Sequence, residues 1–516
     1  MSDNIILIDY CADRKLQVGQ QVAQSIGWDF VDTDVEITAV AGKSIPDAFA
    51  ELGEVGFRKI ERKVLKHACE HVRTVIAIGR DAILDIKNRE LIVSSGMVVC
   101  LEDSETTIQR VSGFANWTVH TDSLSGPEAC QEILRGWHYW KRQHIRESTA
   151  DSEDALLHHV ITATNSYPIH VGWGIFDQLG ELVQQAGVDG RIYLISDSTV
   201  YPLYGARVEA SLQDKGFETS SFVVPAGETS KSLETAISVY SWLIDHRVER
   251  GDTIFALGGG MTGDLAGFVA ATFLRGLSVV QLPTTLLAMV DASIGGKTAV
   301  NHPQAKNVIG AFHQPRMVLS DVQTLESLSH RELTSGWAEL IKHALILDAD
   351  GIELIEANAL DLQRLDPEVT TQAIKRSTSI KARVVSEDEK ESGKRTLLNY
   401  GHTIAHGIET ATNYERFLHG EAVAIGMVGA AGISSAMGLL SREEVERQDN
   451  LLKQFGLPVS CYGIDQLAIT KAMEMDKKVL GKKIRWVLLD TLGHAVIRND
   501  VPSKIVPNIL RTLLKD

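Results

Sequence analysis

The sequence predicts an α/β protein built as two successive units, the second passing from an α/β half into a mainly helical half. Three observations predict it. Between residue 5 and about 135, apolar segments such as "IILI", "TVIAIG" and "MVVCLE" alternate with helix-length runs such as "SIPDAFAELGEVGFRKIERKVLKHA". That is the pattern of a parallel sheet wound with helices. After the polar stretch "GWHYWKRQHIRESTADSEDALLHHV" the pattern begins afresh, with "RIYLISD", "TSSFVVPAGE", "DTIFALGGG" and "SVVQLPTT" as strands. From about 326 strand candidates become few, and "SHRELTSGWAELIKHALIL", "TTQAIKRSTSIKARVVSEDE" and "GEAVAIGMVGAAGISSAMGLL" have helical length and period. The expected boundaries are 1–155, 160–325 and 326–516. A chain of 516 residues exceeds what one core fills, roughly 250 to 300 residues.

Composition narrows the function classes. The chain is 44% hydrophobic and 23% charged with 12 prolines, so it folds rather than remaining disordered. Its formal net charge of −16 argues against nucleic-acid or anionic-membrane partners, and an anionic ligand must therefore meet local positive charge. The five cysteines, Cys11, Cys69, Cys100, Cys130 and Cys461, are scattered without CxxC spacing. Neither a disulfide framework nor a cysteine zinc site is expected, and a reducing cytoplasm suits the pattern. No signal-peptide pattern opens the sequence, and no apolar run reaches the roughly 18 residues of a membrane span, so a soluble cytoplasmic protein is expected.

The first unit opens on "IILIDYCADRKLQVGQQVAQ", a strand running through a turn into a helix, with Lys15 in the turn and no glycine between Asp9 and Val18. Farther on, "FVDTDVEI", "GKSIPDAFAELGEVGFRKIE" and "VIAIGRDAILDIKNRELI" give this unit a resemblance to shikimate kinase. Working members of that family carry GxxxxGK[ST], whose backbone N–H groups wrap the phosphates and whose hydroxyl holds magnesium. Here Asp9, Arg14 and Leu16 stand at the two glycine positions and the hydroxyl position, Asp13 adds negative charge, and only Lys15 is kept. ATP binding is expected to fail. Asp34 and Arg58 stand where the family places its hydroxyl- and carboxylate-binding residues, but its triple-glycine turn has become Gly79, Arg80 and Asp81. The lid segment around "SGFANWTVHTD" lacks the family's arginine before a proline. The expectation is an inactive kinase unit kept for a structural or regulatory use. Residual kinase activity, or a pocket sensing shikimate-like molecules, stays open.

In the second unit, Gly258, Gly260 and Gly263 have GxGxxG spacing after a strand, but no acidic residue follows about 20 positions on. Read alone, the glycines fit a pyrophosphate at a helix N-terminus or a tight structural turn. Likewise His402 and His406, at i and i+4, share a helix face and suggest a metal pair. The wider motifs "PAGETSKSLET", "GGGMTGDLAGFVAATFLRG", "QLPTTLLAMVDASIGGKTAVNHPQAKNVIGAFHQP", "GWAELIKHALI" and "RTLLNYGHTIAHGIE…FLHGEAVAIGM" resemble 3-dehydroquinate synthase over about residues 165 to 500.

That resemblance implies bound NAD and one divalent metal, zinc or cobalt, in a homodimeric enzyme. It assigns the metal to Glu339, His402 and His419, leaving His406 to the substrate. NAD falls to Asp197, Glu228, Lys231, Gly259, Gly260, Asp264, Thr284, Thr285, Lys297, Lys306 and the Thr324, Leu325, Glu326, Ser327 stretch. Lys381 and Arg395 become a carboxylate clamp. Lys297, Asn307, Asn399, His406 and Lys477 become a phosphate pocket that Arg275 reaches from a partner subunit. Asp291, Lys306 and Lys342 complete the set. The implied reaction oxidises 3-deoxy-D-arabino-heptulosonate 7-phosphate transiently with NAD, eliminates phosphate, returns the hydride and closes the ring by an aldol step. The leaving phosphate acts as its own base. Related sugar-phosphate cyclases and metal-dependent glycerol-type dehydrogenases are the rival readings.

Overall fold

The computed structural model describes residues 4–9, 12–79, 82–83, 85–102, 116–121, 124–144, 159–162, 165–391, 393–478 and 484–515. The chain divides into two compact units, Met1–Leu156 with Ile161–Thr164 and Leu157–Val160 with Asn165–Asp516.

The first unit contains β1 (Ile5–Asp9), α1 (Ala12–Ile26), β2 (Asp29–Asp32), α2 (Thr33–Ala41), α3 (Ile45–Cys69), β3 (Thr74–Gly79), α4 (Ile86–Ser95), β4 (Met97–Glu102), β5 (Trp117–His120) and α5 (Gly126–His144). Its strands form a parallel sheet of order β2-β3-β1-β4-β5. The apolar runs of β1, β3 and β4 are continuous because both faces of the sheet are covered. Ile5, Leu7, Val75 and Val99 face Trp137 and Trp140, while Ile6, Ile8, Ile76 and Val98 face Leu65 and Ala68. The lid expectation needs one correction. Trp117–His120 is the edge strand β5, and Trp117 is buried against Gly136, where a Cβ would fall 2.5 Å from the indole. The side chains of Asp9, Asp13, Arg14 and Lys15, together with Cys11, Arg80, Asp81 and the "SGFA" of the lid segment, lie outside the described residues.

The second unit begins with β6 (His159–Ile161), β7 (Ser166–Gly172), α6 (Leu179–Gln185), β8 (Ile192–Asp197), α7 (Tyr201–Gln213), β9 (Thr219–Val224), α8 (Leu233–Asp245), β10 (Thr253–Gly258), α9 (Gly260–Thr272), β11 (Ser278–Pro283), β12 (Lys297–His302), β13 (Ala305–Phe312) and β14 (Met317–Asp321). The large sheet has the order β6-β7-β14-β11-β10-β8-β9, and β7 through β9 pair in parallel. The strands β12 and β13 form a separate antiparallel hairpin. Tyr193, Ile195, Ile254 and Ala256 pack against α8 and α9 on one face, and Leu194, Phe255, Leu257 and Leu282 against α6 and α7 on the other.

The helical half holds α10 (His330–Leu347), α11 (Ala349–Ala357), α12 (Ala359–Gln363), α13 (Pro367–Glu387), α14 (His402–Ala411), α15 (His419–Ala436), α16 (Arg442–Gln454), α17 (Gln466–Lys478) and α18 (Ile505–Leu513). Ser329 caps α10, and Asp366 caps α13 ahead of Pro367, as helix starts require. Two small strand pairs that the sequence pattern does not reveal also lie here: β15 (Cys461–Tyr462) with β18 (Leu514–Lys515), and the hairpin of β16 (Trp486–Thr491) and β17 (His494–Arg498). No described helix is long and apolar enough to cross a membrane. Cys69, Cys100, Cys130 and Cys461 are buried.

Candidate active site

Five neighbouring parallel strands deliver the expected cofactor residues to one edge, the carboxyl ends where α/β sheets bind ligands. Asp197 ends β8, and its carboxylate accepts from the backbone N–H of Thr199 and Val200 (2.9 and 3.1 Å) and the hydroxyl of Thr262 (3.2 Å). Gly258 ends β10, and α9 starts at Gly260 with no side-chain cap, leaving its first N–H groups for a ligand. Thr284 and Thr285 follow β11, with Thr284 N–H donating to the Gly258 carbonyl (3.0 Å) and the Thr285 hydroxyl accepting from Ala288 N–H (3.2 Å). After β14, Thr324 and Leu325 are buried while Glu326 and Ser327 are exposed; Tyr204 donates to Ser327 (2.7 Å). After β9, Glu228 accepts from Asn301 (2.8 Å) and lies 4.0 Å from Lys306. Lys231 donates to both Asp264 and Asn307 at 2.5 Å. Burial pushes the Asp264 carboxyl up to about 6 against the pull of Lys231.

The turn at Gly258 has no room for a side chain. A Cβ there would sit 2.6 Å from Thr262 Oγ1 and 3.1 Å from Asp197 Oδ2. Gly258→Ala is therefore expected to shift this edge and weaken NAD binding about tenfold, the equivalent of roughly 1.4 kcal/mol of overpacking, measurable by titrating NAD against tryptophan fluorescence.

A second cluster lies where α10, α14 and α15 meet. Glu339, wholly buried on α10, faces His402 and His419, the first residues of α14 and α15. The Nε2 atoms stand 3.5 and 3.8 Å from Glu339 Oε1, and one ligand atom from each of the three lies within 4.8 Å of the others. Close packing sets this: at Gly420 a Cβ would fall 1.9 Å from the Ser335 carbonyl oxygen, so only glycine lets α15 approach α10 and bring His419 in. Each imidazole is oriented through its other nitrogen. His402 Nδ1 is 3.2 Å from the Tyr400 carbonyl, and His419 Nδ1 is 3.0 Å from Glu409 Oε1.

Both Glu339 oxygens are buried without a hydrogen-bond partner; Lys342 lies against Oε2 in an ion pair but outside hydrogen-bond alignment. A buried carboxylate left this way is costly unless something bridges it. A divalent cation held by one carboxylate and two oriented imidazoles satisfies it and leaves room for further oxygen ligands. Burial, with Lys342, His419 and His406 nearby, holds His402 well below the ordinary histidine range, so it is neutral, the ligating form. Burial opposes protonation of His419 too, but Glu409 and Glu339 raise it. His406 is exposed, with ring centroids 5.5 Å from His402 and 6.4 Å from His419, and lies outside the compact trio.

Asp291, in the helical turn Ala288–Ala292, pairs with Lys381 of α13. Lys381 is pushed down to about 8 by burial and the nearby Arg395 and Lys342, against Asp291. Lys381 and Lys342 in turn hold Asp291 well below the carboxylate range despite its burial. Ala292 approaches the cofactor turn: a Cβ on Gly260 would be 3.4 Å from its Cβ. Asp291 also offers an oxygen within 4.8 Å of Glu339 and His343, which joins the two clusters through one short segment. Arg395 is buried and donates to the carbonyls of Gly295 (3.2 and 3.3 Å) and Glu389 (2.6 Å), bracing the loop before it. Lys297 and Asn399 both meet Glu391. Lys306 lies 4.3 Å over the Tyr414 ring. Arg275 is exposed, in a turn where Leu274 and Arg275 both have positive φ (50° and 70°). The Lys477 side chain lies outside the described residues.

Sequence reasoning missed Tyr400, Glu409, Glu391 and Tyr414. Glu409 was accessible, because 402, 406 and 409 fall on one face of a helix.

In the first unit, Asp34 lies against Gly79, where a Cβ would be 2.8 Å from its Oδ1. Arg58 donates to both oxygens of Glu61 at 2.9 Å.

An α/β half with a ligand edge, joined to a helical half with a glutamate–histidine–histidine centre, defines a dehydroquinate synthase-like unit behind a shikimate kinase-like one. The family model for the 3-dehydroquinate synthase N-terminal domain matches residues 221–335, that for its C-terminal domain 336–479, and that for shikimate kinase 15–164. The 3-dehydroquinate synthase of Synechococcus sp. is 46% identical over 354 residues, 68% of this chain and 96% of the relative. Among solved structures, 2-deoxy-scyllo-inosose synthase complexed with carbaglucose-6-phosphate, NAD+ and Co2+ is 28% identical with a TM-score of 0.63, covering 69% of this chain and 99% of the other. The 2-epi-5-epi-valiolone synthase of Streptomyces hygroscopicus subsp. jinggangensis, with NAD+ and Zn2+ bound, is 30% identical with a TM-score of 0.62, covering 68% and 97%. The chain belongs to the 3-dehydroquinate synthase family and carries a shikimate kinase-like segment ahead of that match.

Proposed function

We propose that the second unit converts 3-deoxy-D-arabino-heptulosonate 7-phosphate to 3-dehydroquinate and phosphate, using NAD and one divalent metal of the zinc or cobalt kind. The observation that carries this reading is the buried Glu339 carboxylate, without a hydrogen-bond partner, facing two oriented imidazoles and joined through Asp291 to a glycine turn at the carboxyl edge of the sheet. When bound, the metal supplies Lewis-acid polarisation of a substrate oxygen and NAD supplies a hydride acceptor.

The chain's own residues bind and orient. Glu339, His402 and His419 hold the metal. The glycine turn and the N–H groups of α9 take the pyrophosphate, while Asp197, Glu228, Asp264, Thr284, Thr285 and the 324–327 turn surround the rest of the dinucleotide, with Lys231, Lys297 and Lys306 beside it. Lys381 and Arg395 fix the substrate carboxylate. Lys297, Asn307, Asn399, His406 and Lys477 receive the phosphate, and Arg275 completes that pocket from a second copy of the chain in a homodimer. Lys342 pairs with the Glu339 carboxylate beside the metal site. No side chain is required as the base, since the leaving phosphate takes the proton. A cytoplasmic setting suits the scattered, buried cysteines. Release of phosphate from the heptulosonate phosphate by the NAD- and metal-loaded chain, abolished by chelator and restored by added metal, supports the reading; chelator-resistant release or none refutes it.

Lys381 also predicts a pH limb. Its protonated form pairs with a carboxylate, is present below about pH 8, and is lost as pH rises through that value. The kcat/KM for the phosphorylated substrate is expected to fall about tenfold per unit above that pH, and Lys381→Arg to remove the fall.

The kinase-like unit is proposed as a structural or regulatory module without phosphoryl-transfer activity. Asp34 and Arg58, at the family's shikimate-binding positions, leave sensing of shikimate-like molecules as the alternative, read out as inhibition of phosphate release by added shikimate.

A further inference from the structure

The residues assigned above to the substrate phosphate already hold an anion that belongs to the chain. Glu391 forms an ion pair with Lys297 through Oε2 and accepts from Asn399 Nδ2 through Oε1 at 2.6 Å. One carboxylate therefore bridges two groups from distant parts of the chain, the start of β12 and the turn before α14. The backbone is shaped for it. Glu391 has φ of 58°, in the left-handed region that costs a glutamate energy and persists only where its surroundings impose it.

Hydrogen bonds flank it on both sides. Asp388 Oδ2 accepts from the N–H groups of Gly393 (2.7 Å) and Arg395 (3.0 Å). Gln314 donates to the Glu389 side chain (2.8 Å), and Arg395 to the Glu389 carbonyl (2.6 Å). Asp388 and Glu389 thus shape the loop, and Glu391 meets the phosphate-pocket residues Lys297 and Asn399.

We propose that Glu391 is an internal stand-in for the phosphoryl group, occupying Lys297 and Asn399 until the phosphate of a substrate displaces it. The proposal rests on the assignment of those two residues to phosphate. It makes Glu391 a specificity-determining residue. A phosphate dianion brings more charge and more acceptor oxygens to the same two donors than a carboxylate does, so the exchange runs forward. A sugar without phosphate offers neutral hydroxyls, which cannot replace the ion pair, and is rejected. The pair is suited to exchange: the Lys297 side chain is 52% exposed and that of Glu391 24%, so solvent screens the contact and leaves it weak.

The test is calorimetric titration of inorganic phosphate into the full-length, NAD- and metal-loaded protein at fixed ionic strength, comparing wild type with Glu391→Gln and Glu391→Ala. Both variants are expected to bind phosphate about twofold to fivefold more tightly, because no internal anion competes. Unchanged or weaker binding in both folded variants overturns the proposal, as does absence of phosphate binding in all three proteins. If the variants bind more tightly yet wild type releases no phosphate from the heptulosonate phosphate, the displacement stands and the synthase reading falls.

Discussion

Replacing Glu339 with glutamine is expected to lower phosphate release by about a thousandfold and to yield protein that no longer retains a divalent metal. The size follows from the several kcal/mol that a metal contributes to charge stabilisation, at about 1.4 kcal/mol per tenfold. The amide keeps the shape of the side chain but removes the only carboxylate among the three ligands. It also leaves Lys342, 1% exposed and next to Glu339, without its counter-charge, and breaking such a buried pair costs about 3 to 5 kcal/mol. Loss of metal and a lowered unfolding midpoint are therefore expected together. His406→Ala is the informative contrast. It retains metal, because His406 stands outside the trio, and loses substrate affinity instead. Metal analysis after dialysis separates the two variants; metal lost from His406→Ala and kept by Glu339→Gln would show that the i and i+4 histidines form the centre.

The full chain, supplied with shikimate and magnesium-ATP, is expected to give no phosphorylation above background. The reason lies in backbone access. A phosphate-cradling turn needs glycines so that consecutive N–H groups can close around the anion, and a hydroxyl to hold magnesium. Arg14 places a side chain where the second glycine belongs, Leu16 has no oxygen for metal, and Asp13 repels the phosphates. Each loss acts on a different contact, so no single substitution is expected to restore turnover. A coupled assay of ADP formation checks this, and turnover of even about 1 per second, the lower end for kinases, would overturn it.

Much of the architecture is legible from local pattern. The continuous apolar runs of β1, β3 and β4 announce a sheet covered on both faces, and α10, α13 and α15 are long enough for the helical period to be unambiguous. The glycine turn is legible as strand, turn and helix, though not as a cofactor site. The small hairpins are not. In β13 most positions are exposed, so the run lacks the alternation that marks a half-buried strand. The metal trio is legible only through the wider motifs, because its residues come from three helices and the one local signal, His402 with His406, points to a different pair. Glu391 is hidden for another reason. It sits in the acidic run "SEDEKESGK", which reads as a solvated segment, and only the positive φ of the folded loop turns it toward Lys297.

The most direct measurement is a product balance by NMR and absorbance on full-length, metal-loaded protein with NAD at far less than the substrate concentration. One phosphate and one 3-dehydroquinate per heptulosonate phosphate consumed, with no NADH accumulating, is the result expected of an enzyme that takes a hydride and returns it. NADH accumulating in step with substrate loss, with phosphate retained on the sugar, would instead mark a dehydrogenase and contradict the synthase assignment.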